Sequence, residues 1–358
     1  MAPDITRRRL LGTLGTGALV GSAGCLGALG FEEQSAWRDP PLVEDRPNAV
    51  YVPAITEGMG MYGKTTAGPY GVALTYSYPH RFWTLTGSDL SKTVVESDDS
   101  VHLMASLWDA ETGTALPLDS GVTIEVTRGD ELVTEEVAYP MLSQQMGLHY
   151  GSNYALDGEG EYEVRVRVGG VSLRRTGGFE GRFEAAETAT FAVEFDTDEL
   201  YDVPIERPEN PGERGAIPPM EMAGVPVGRA SEPDALPGRH LGRATSGDAV
   251  FHAFAVDEGR FGDGTYLYVS PRTPYNRIVL PMMGLDATLA RGGDAVAETG
   301  LRRTLDPELG YHYGASVSSV EPGDELRVAV AVPPQVARHD GYETAFLDMD
   351  PVTFTVPE

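Results

Sequence analysis

The first half of the chain holds a set of side chains able to grip a metal ion: Glu57, Met59, Met61, His80, His102, Met104, Met141, Met146 and His149. Thioether sulfur is a soft ligand and imidazole a borderline one, so a His/Met mixture suits copper, with ferrous iron the other candidate. His149 lies within Gly147-Leu148-His149-Tyr150-Gly151. That pattern returns 163 residues later as Gly310-Tyr311-His312-Tyr313-Gly314. Only the first copy has methionines around its histidine, which points to the first half as the functional one. The repetition equally fits a histidine that hydrogen-bonds its own turn in both copies, and the two readings stay open at this level.

The flanking sequence sets expectations for the remaining candidates. Met141 follows Pro140 and precedes the polar run Ser143-Gln144-Gln145, so a loop is expected there rather than a core strand. In Val101-His102-Leu103-Met104 the histidine and methionine alternate, which places both on one face of a strand. Their counterparts in the second half are Tyr266 and Tyr268, polar aromatics that suggest a wet face or pocket. His80 closes the apolar strand Val72–Tyr78, with Phe82 and Trp83 close by to wall a pocket. No Gly-x-Ser-x-Gly elbow, phosphate-binding glycine loop or His-Glu-x-x-His signature occurs, so binding is expected and not an enzyme.

The elements that must carry these residues read as strands. Tyr162, Val164, Val166 and Val168 alternate with charged residues, as do Leu326, Val328, Val330 and Val332. Each half closes on a similar strand, Phe191–Phe195 in the first and Val352–Val356 in the second. Turn signals such as Asp157-Gly158 and Pro322-Gly323-Asp324 separate short segments, and no convincing helical period is present. The fold class is all-β, with two β-sandwich domains over residues 49–195 and 216–358 and a proline-rich acidic linker over 196–215. Further landmarks recur in order: Leu116-Pro117-Leu118 against Leu280-Pro281-Met282, and Met59-Gly60-Met61 against Met220-Glu221-Met222. An internal duplication is the simplest account.

Residues 1–24 read as a twin-arginine signal peptide, from Arg7-Arg8-Arg9 through an apolar run too short to span a membrane. Ser22-Ala23-Gly24-Cys25 reads as a lipobox that makes Cys25 the lipidated first residue, followed by a tether over 25–48. Because Cys25 is the only cysteine, a disulfide or a thiolate metal centre is ruled out within one chain. Fifty-four acidic residues face 27 basic ones, a formal charge of −27, and Lys64 and Lys92 are the only lysines. Such a surface matches proteins of extreme halophiles, where dense salt screens self-repulsion, and it excludes nucleic acid as a partner.

Residues 49–195 resemble the periplasmic iron-transport-associated family, small exported divalent-cation-binding proteins that accompany iron permeases. The resemblance rests on Pro140-Met141…His149-Tyr150-Gly151 and the strand Glu161–Val168, with Met59-Gly60-Met61 upstream. It implies an immunoglobulin-like sandwich, often dimeric, with a His/Met/Glu site for Fe2+ or Cu2+ in which Met141 and His149 match the family's ligands. The family's early His-x-Glu pair is missing from Val72–Tyr78, and His80, His102, Met104 or Glu57 could substitute. The whole arrangement resembles halophilic archaeal lipoproteins with a duplicated domain. The expected function is a metal-binding protein, lipid-anchored outside the cell membrane, that delivers iron or copper to a membrane permease. The alternative is an envelope-structural lipoprotein without metal, with His149 and His312 as equivalent turn histidines.

Overall fold

Alternating apolar residues build the framework in a computed structural model that describes residues 40–118 and 121–358. The expected signal peptide, Cys25 and all but the end of the expected tether lie outside the described residues. The first half contributes β1 (Thr56–Glu57), β2 (Gly60–Ala67), β3 (Tyr70–Ser77), β4 (Phe82–Thr86), β5 (Asp89–Thr93), β6 (Val101–Asp109), β7 (Val122–Arg128), β8 (Glu131–Ser143), β9 (Gly147–Tyr154), β10 (Gly160–Val168), β11 (Arg174–Arg175) and β12 (Glu187–Phe195). A short helix α1 (Thr197–Tyr201) and β13 (Ile205–Glu206) follow. The second half adds β14 (Arg239–Ser246), β15 (Ala249–Val256), β16 (Thr265–Arg272), β17 (Gly284–Arg291), β18 (Asp294–Asp306), β19 (Gly310–Val317), β20 (Glu325–Val332), β21 (Ala337–Arg338) and β22 (Val352–Thr355). The all-β expectation holds. Among the described residues no helix is long and apolar enough to cross a membrane.

Each half is a sandwich held together by one long strand that passes from one sheet to the other. The start of β8 pairs with β7, giving the order β12-β10-β7-β8, and its end pairs with β9 in β8-β9-β6-β3-β2. In the second half β18 does the same, between β22-β20-β17-β18 and β18-β19-β16-β15-β14. On β10, Tyr162, Val164, Val166 and Val168 are buried and the intervening residues are not, as period two requires. Even the irregularities recur: a bulge between Met61 and Gly63 on β2 has its counterpart between His240 and Gly242 on β14. This register overturns one expected match. Met61 corresponds to His240, whereas Met220–Met222 lie in an irregular connection with no counterpart on β2.

The recurrent Gly-x-His-Tyr-Gly pattern has a physical basis at each position. Gly147 and Gly310 adopt φ of +69° and +66° at the turn into β9 and β19, a conformation that favours glycine. The tyrosine hydroxyls fasten the loop that crosses between sheets. Tyr150 accepts from the Leu118 amide at 2.6 Å and donates to the Leu116 and Leu118 carbonyls, while Tyr313 accepts from Met283 and donates to Leu280, both at 2.9 Å. The final glycine leaves room for a large neighbour, since a Cβ on Gly151 would stand 3.0 Å from His102 Nε2 and one on Gly314 only 2.2 Å from the Tyr266 hydroxyl.

The halves exchange short segments reciprocally. From the second half, β21 lies parallel to the end of β8, with Ala337 opposite Met141 and Arg338 opposite Leu142. From the first half, β11 lies parallel to the end of β18, with Arg174 opposite Thr304 and Arg175 opposite Leu305. Residues 196–215 are also built in, since β13 pairs with β1 and Tyr51 bridges to Arg214. Removing the anchoring hydroxyl in Tyr313→Phe strands the buried Met283 amide, while Tyr150→Phe leaves the Leu116 and Leu118 carbonyls without that donor. Each substitution should cost roughly 1–3 kcal/mol, read as a lower urea midpoint at unchanged slope.

Candidate metal centre

Four imidazoles from four segments meet beneath one pocket. His80 follows β3, His102 lies on β6, His149 on β9, and His339 directly follows β21. Ligand atoms of His80, His102 and His339 all lie within 4.8 Å of one another, a spacing one ion could span. Ring centroids are 4.0 Å apart for His80 and His102, 4.9 Å for His80 and His339, and 5.2 Å for His149 and His339. The Nε2 atoms of all four are buried and lack a hydrogen-bond partner. An orphaned buried polar atom costs about 1–3 kcal/mol, so this cluster is expensive unless something binds it.

In His80, His102 and His149 the opposite ring nitrogen is held by an oxygen. His149 Nδ1 donates to the Gly147 carbonyl at 3.2 Å, and His102 Nδ1 lies 2.7 Å from Asn153 Oδ1. His80 Nδ1 faces the Tyr78 carbonyl at 2.9 Å and Glu57 Oε2 at 3.2 Å. These oxygens only accept, so a proton sits on Nδ1 of each ring, and in neutral His102 and His149 the Nε2 lone pair is free. The turn-histidine reading and the ligand reading of His149 thus use different nitrogens and do not compete.

Electrostatics separate the four rings. Burial, aided by neighbouring histidines, holds His102 and His339 well below the ordinary histidine range. His149 is lowered to about 4, chiefly by burial. Burial also opposes charge on His80, but Glu57, the Tyr78 carbonyl and Asp340 outweigh it and leave that ring above its ordinary value. Three rings are therefore free bases at neutral pH, the state a metal requires.

The other expected residues fall around this cluster. Glu57, Met59 and Met104 line the pocket with His80, His149 and His339, as does Met146. Met61 does not, being 41 % exposed. Met141 is on strand β8 and not in a loop. Its proline neighbour sits where β8 leaves one sheet for the other, a place that tolerates a missing amide. Met141 is the register partner of His149 and packs in a buried cluster with Phe82 and Ala337. In place of the missing His-x-Glu pair, β3 sets Thr75 opposite Met104 and Ser77 opposite His102, and Ser77 donates to Glu57.

His339 was not among the residues anticipated from sequence. Its signal lay in the duplication: Arg175-Thr176 and Arg338-His339 stand 163 residues apart, the displacement that relates His149 to His312. Thr176 and His339 also make the same backbone bond, to Leu305 and Leu142 respectively.

The second half shows the same scaffold without the chemistry. Register sets Tyr266 and Tyr268 at the positions of His102 and Met104, and Thr304 at that of Met141. Contrary to a wet face, both tyrosines are at most 1 % exposed. Tyr266 lies 3.0 Å from His312 Nε2, so this ring is satisfied on both sides, while the Arg174 guanidinium covers the tyrosine ring at 5.4 Å.

A domain of unknown function, DUF7350, matches residues 234–355. No match was found among curated proteins by sequence. Solved structures similar to this chain include a copper-bound variant of FetP from uropathogenic Escherichia coli strain F11, with a TM-score of 0.28 and 16 % identity over 38 % of this chain and 97 % of that one. FetP as isolated, from the same strain, gives 0.27 and 16 % over 39 % and 95 %.

The buried neutral histidines set a pH dependence for the metal-free protein. His149 and His312, both at about 4, remain neutral when folded while the unfolded chain takes up protons below about 6.5. Their stabilisation is complete above that pH and is lost as pH falls toward 4. His80, held above its ordinary value, acts in the opposite sense and loses its share as pH rises. Urea unfolding at pH 7.5 and pH 5 should show a drop on the order of 2 kcal/mol from each of His149 and His312. His312→Gln should flatten that dependence.

Proposed function

We propose that this protein binds a single iron or copper ion through His80, His102, His149 and His339 and delivers it to a membrane iron-uptake permease. The observation that carries the reading is the meeting of His80, His102 and His339, with His149 ring-to-ring beside His339, each with a buried Nε2 that has no protein partner. Imidazole suits copper and ferrous iron alike, and the adjoining Met59 and Met104 would favour copper in its softer state. Met141, packed behind His149, shapes the ring's surroundings, and Glu57 holds His80 from outside the cluster. The role is capture and hand-over of cargo, not catalysis.

The sequence of the N-terminus supports an exported protein held by lipidated Cys25 on the outer face of the cell membrane. On this reading the first sandwich holds the ion and the second, degenerate copy lends His339 to it. Each chain then supplies its own cross-domain ligand, so a homodimer is not needed to complete the centre. Equilibrium dialysis in high salt with Cu(II) or Fe(II), followed by metal analysis, should find one ion per chain. His102→Ala and His339→Ala should weaken binding at least 100-fold, whereas His312→Ala should leave stoichiometry unchanged. Wild-type binding in both of the first two variants would sink the assignment.

A further inference from the structure

We propose that Asn153 is the positioning residue of this centre: one amide group fixes both the place of His80 and the tautomer of His102. The inference rests on the metal reading above and adds a residue to it. Asn153 lies on β9 as the register partner of His102 and is 9 % exposed.

Its side chain makes a two-point contact with the backbone of His80. The His80 amide donates to Asn153 Oδ1 at 3.3 Å, and Asn153 Nδ2 donates to the His80 carbonyl at 3.0 Å. Only one amide orientation satisfies this pair, because the flipped form would set N–H against NH2 and carbonyl against carbonyl. The backbone of residue 80 therefore decides which atom of Asn153 faces His102, and it is the oxygen, 2.7 Å from His102 Nδ1. An amide oxygen cannot donate, so the single proton of neutral His102 is held on Nδ1. Its Nε2, which has no partner of its own, keeps a lone pair aimed into the cluster. Outer groups of this kind commonly change metal affinity 10- to 100-fold when removed.

The second half carries no such device. The register counterpart of Asn153 is Ser316, whose hydroxyl donates to the Phe261 carbonyl at 3.0 Å, and Tyr266 replaces the histidine it would orient.

The test combines a metal-free readout with a binding one. In the metal-free full chain at pH 7.5, imidazole nitrogen NMR should show His102 protonated at Nδ1, and an Nε2–H tautomer in the wild type would overturn the proposal. Asn153→Leu should lose that single tautomer and weaken Cu(II) binding about 10- to 100-fold. Asn153→Asp retains the acceptor toward His102 but loses the donor to the His80 carbonyl, so it should keep the Nδ1–H tautomer and lose less affinity than Asn153→Leu. Wild-type affinity in Asn153→Leu, or an equal loss in both variants, would refute the role. A wild type that shows the Nδ1–H tautomer but takes up no Cu(II) would instead refute the metal reading and leave the positioning geometry standing.

Discussion

Insertion of Ala337–Arg338 between β8 and β4 is the contact on which the centre depends, because it carries His339 into a pocket built by the other half. Two residues of parallel pairing are a small foundation, and their neighbourhood strengthens it. Arg338 is fully buried, and its guanidinium donates to the carbonyls of Ala345, Pro334 and Phe346. Burial lowers it to about 10, which still leaves the charge in place at neutral pH. The following turn is closed by Glu343, which accepts from the Gly341 amide and the Tyr51 hydroxyl. Gln144, at the end of β8, bonds the carbonyls of Tyr51 and Gly341. The backbone of His339 is thus held by its bonds to Leu142 and Tyr342 within a buried polar frame.

The two halves show how one scaffold can support opposite outcomes. Both keep the left-handed glycine, the histidine bonded to that glycine's carbonyl, the anchoring tyrosine and the second glycine that makes room for a neighbour. In the first half that neighbour is His102, which exposes a lone pair. In the second it is Tyr266, whose hydroxyl reaches His312 Nε2 and removes it from use. The exchanged segment follows the same logic, delivering His339 to one pocket and Thr176 to the other, where the threonine hydroxyl donates to Asp306 at 2.8 Å. Polar satisfaction, more than shape, separates a centre able to hold a cation from a closed core.

Periodicity carried most of the fold in legible form. Alternation on β10, β12, β20 and β22 reflects burial of one strand face, a property local enough to appear in nine residues. The duplication was visible because both halves must solve the same turn and anchor problems with the same residue types. His102 and Met104 were legible as same-face residues for the same reason. Met141 was misplaced because a proline and polar neighbours mark a sheet-to-sheet crossing as readily as a loop. Tyr266 and Tyr268 were read as wet because composition does not reveal that a hydroxyl has found a buried partner.

By itself the sequence determined an all-β duplicated chain whose first half concentrates histidine and methionine, since strand alternation and turn chemistry are set by near neighbours. The grouping of histidines that could hold an ion was decided only by tertiary structure. His339 lies 190 residues beyond His149, and nothing in its local pattern tells which distant strand β21 will join. Which nitrogen His102 and His80 present is likewise settled by Asn153 and Glu57, which folding brings into hydrogen-bond range. Side-chain chemistry is written in the chain, but the direction of a lone pair depends on what the fold packs against the other side of the ring.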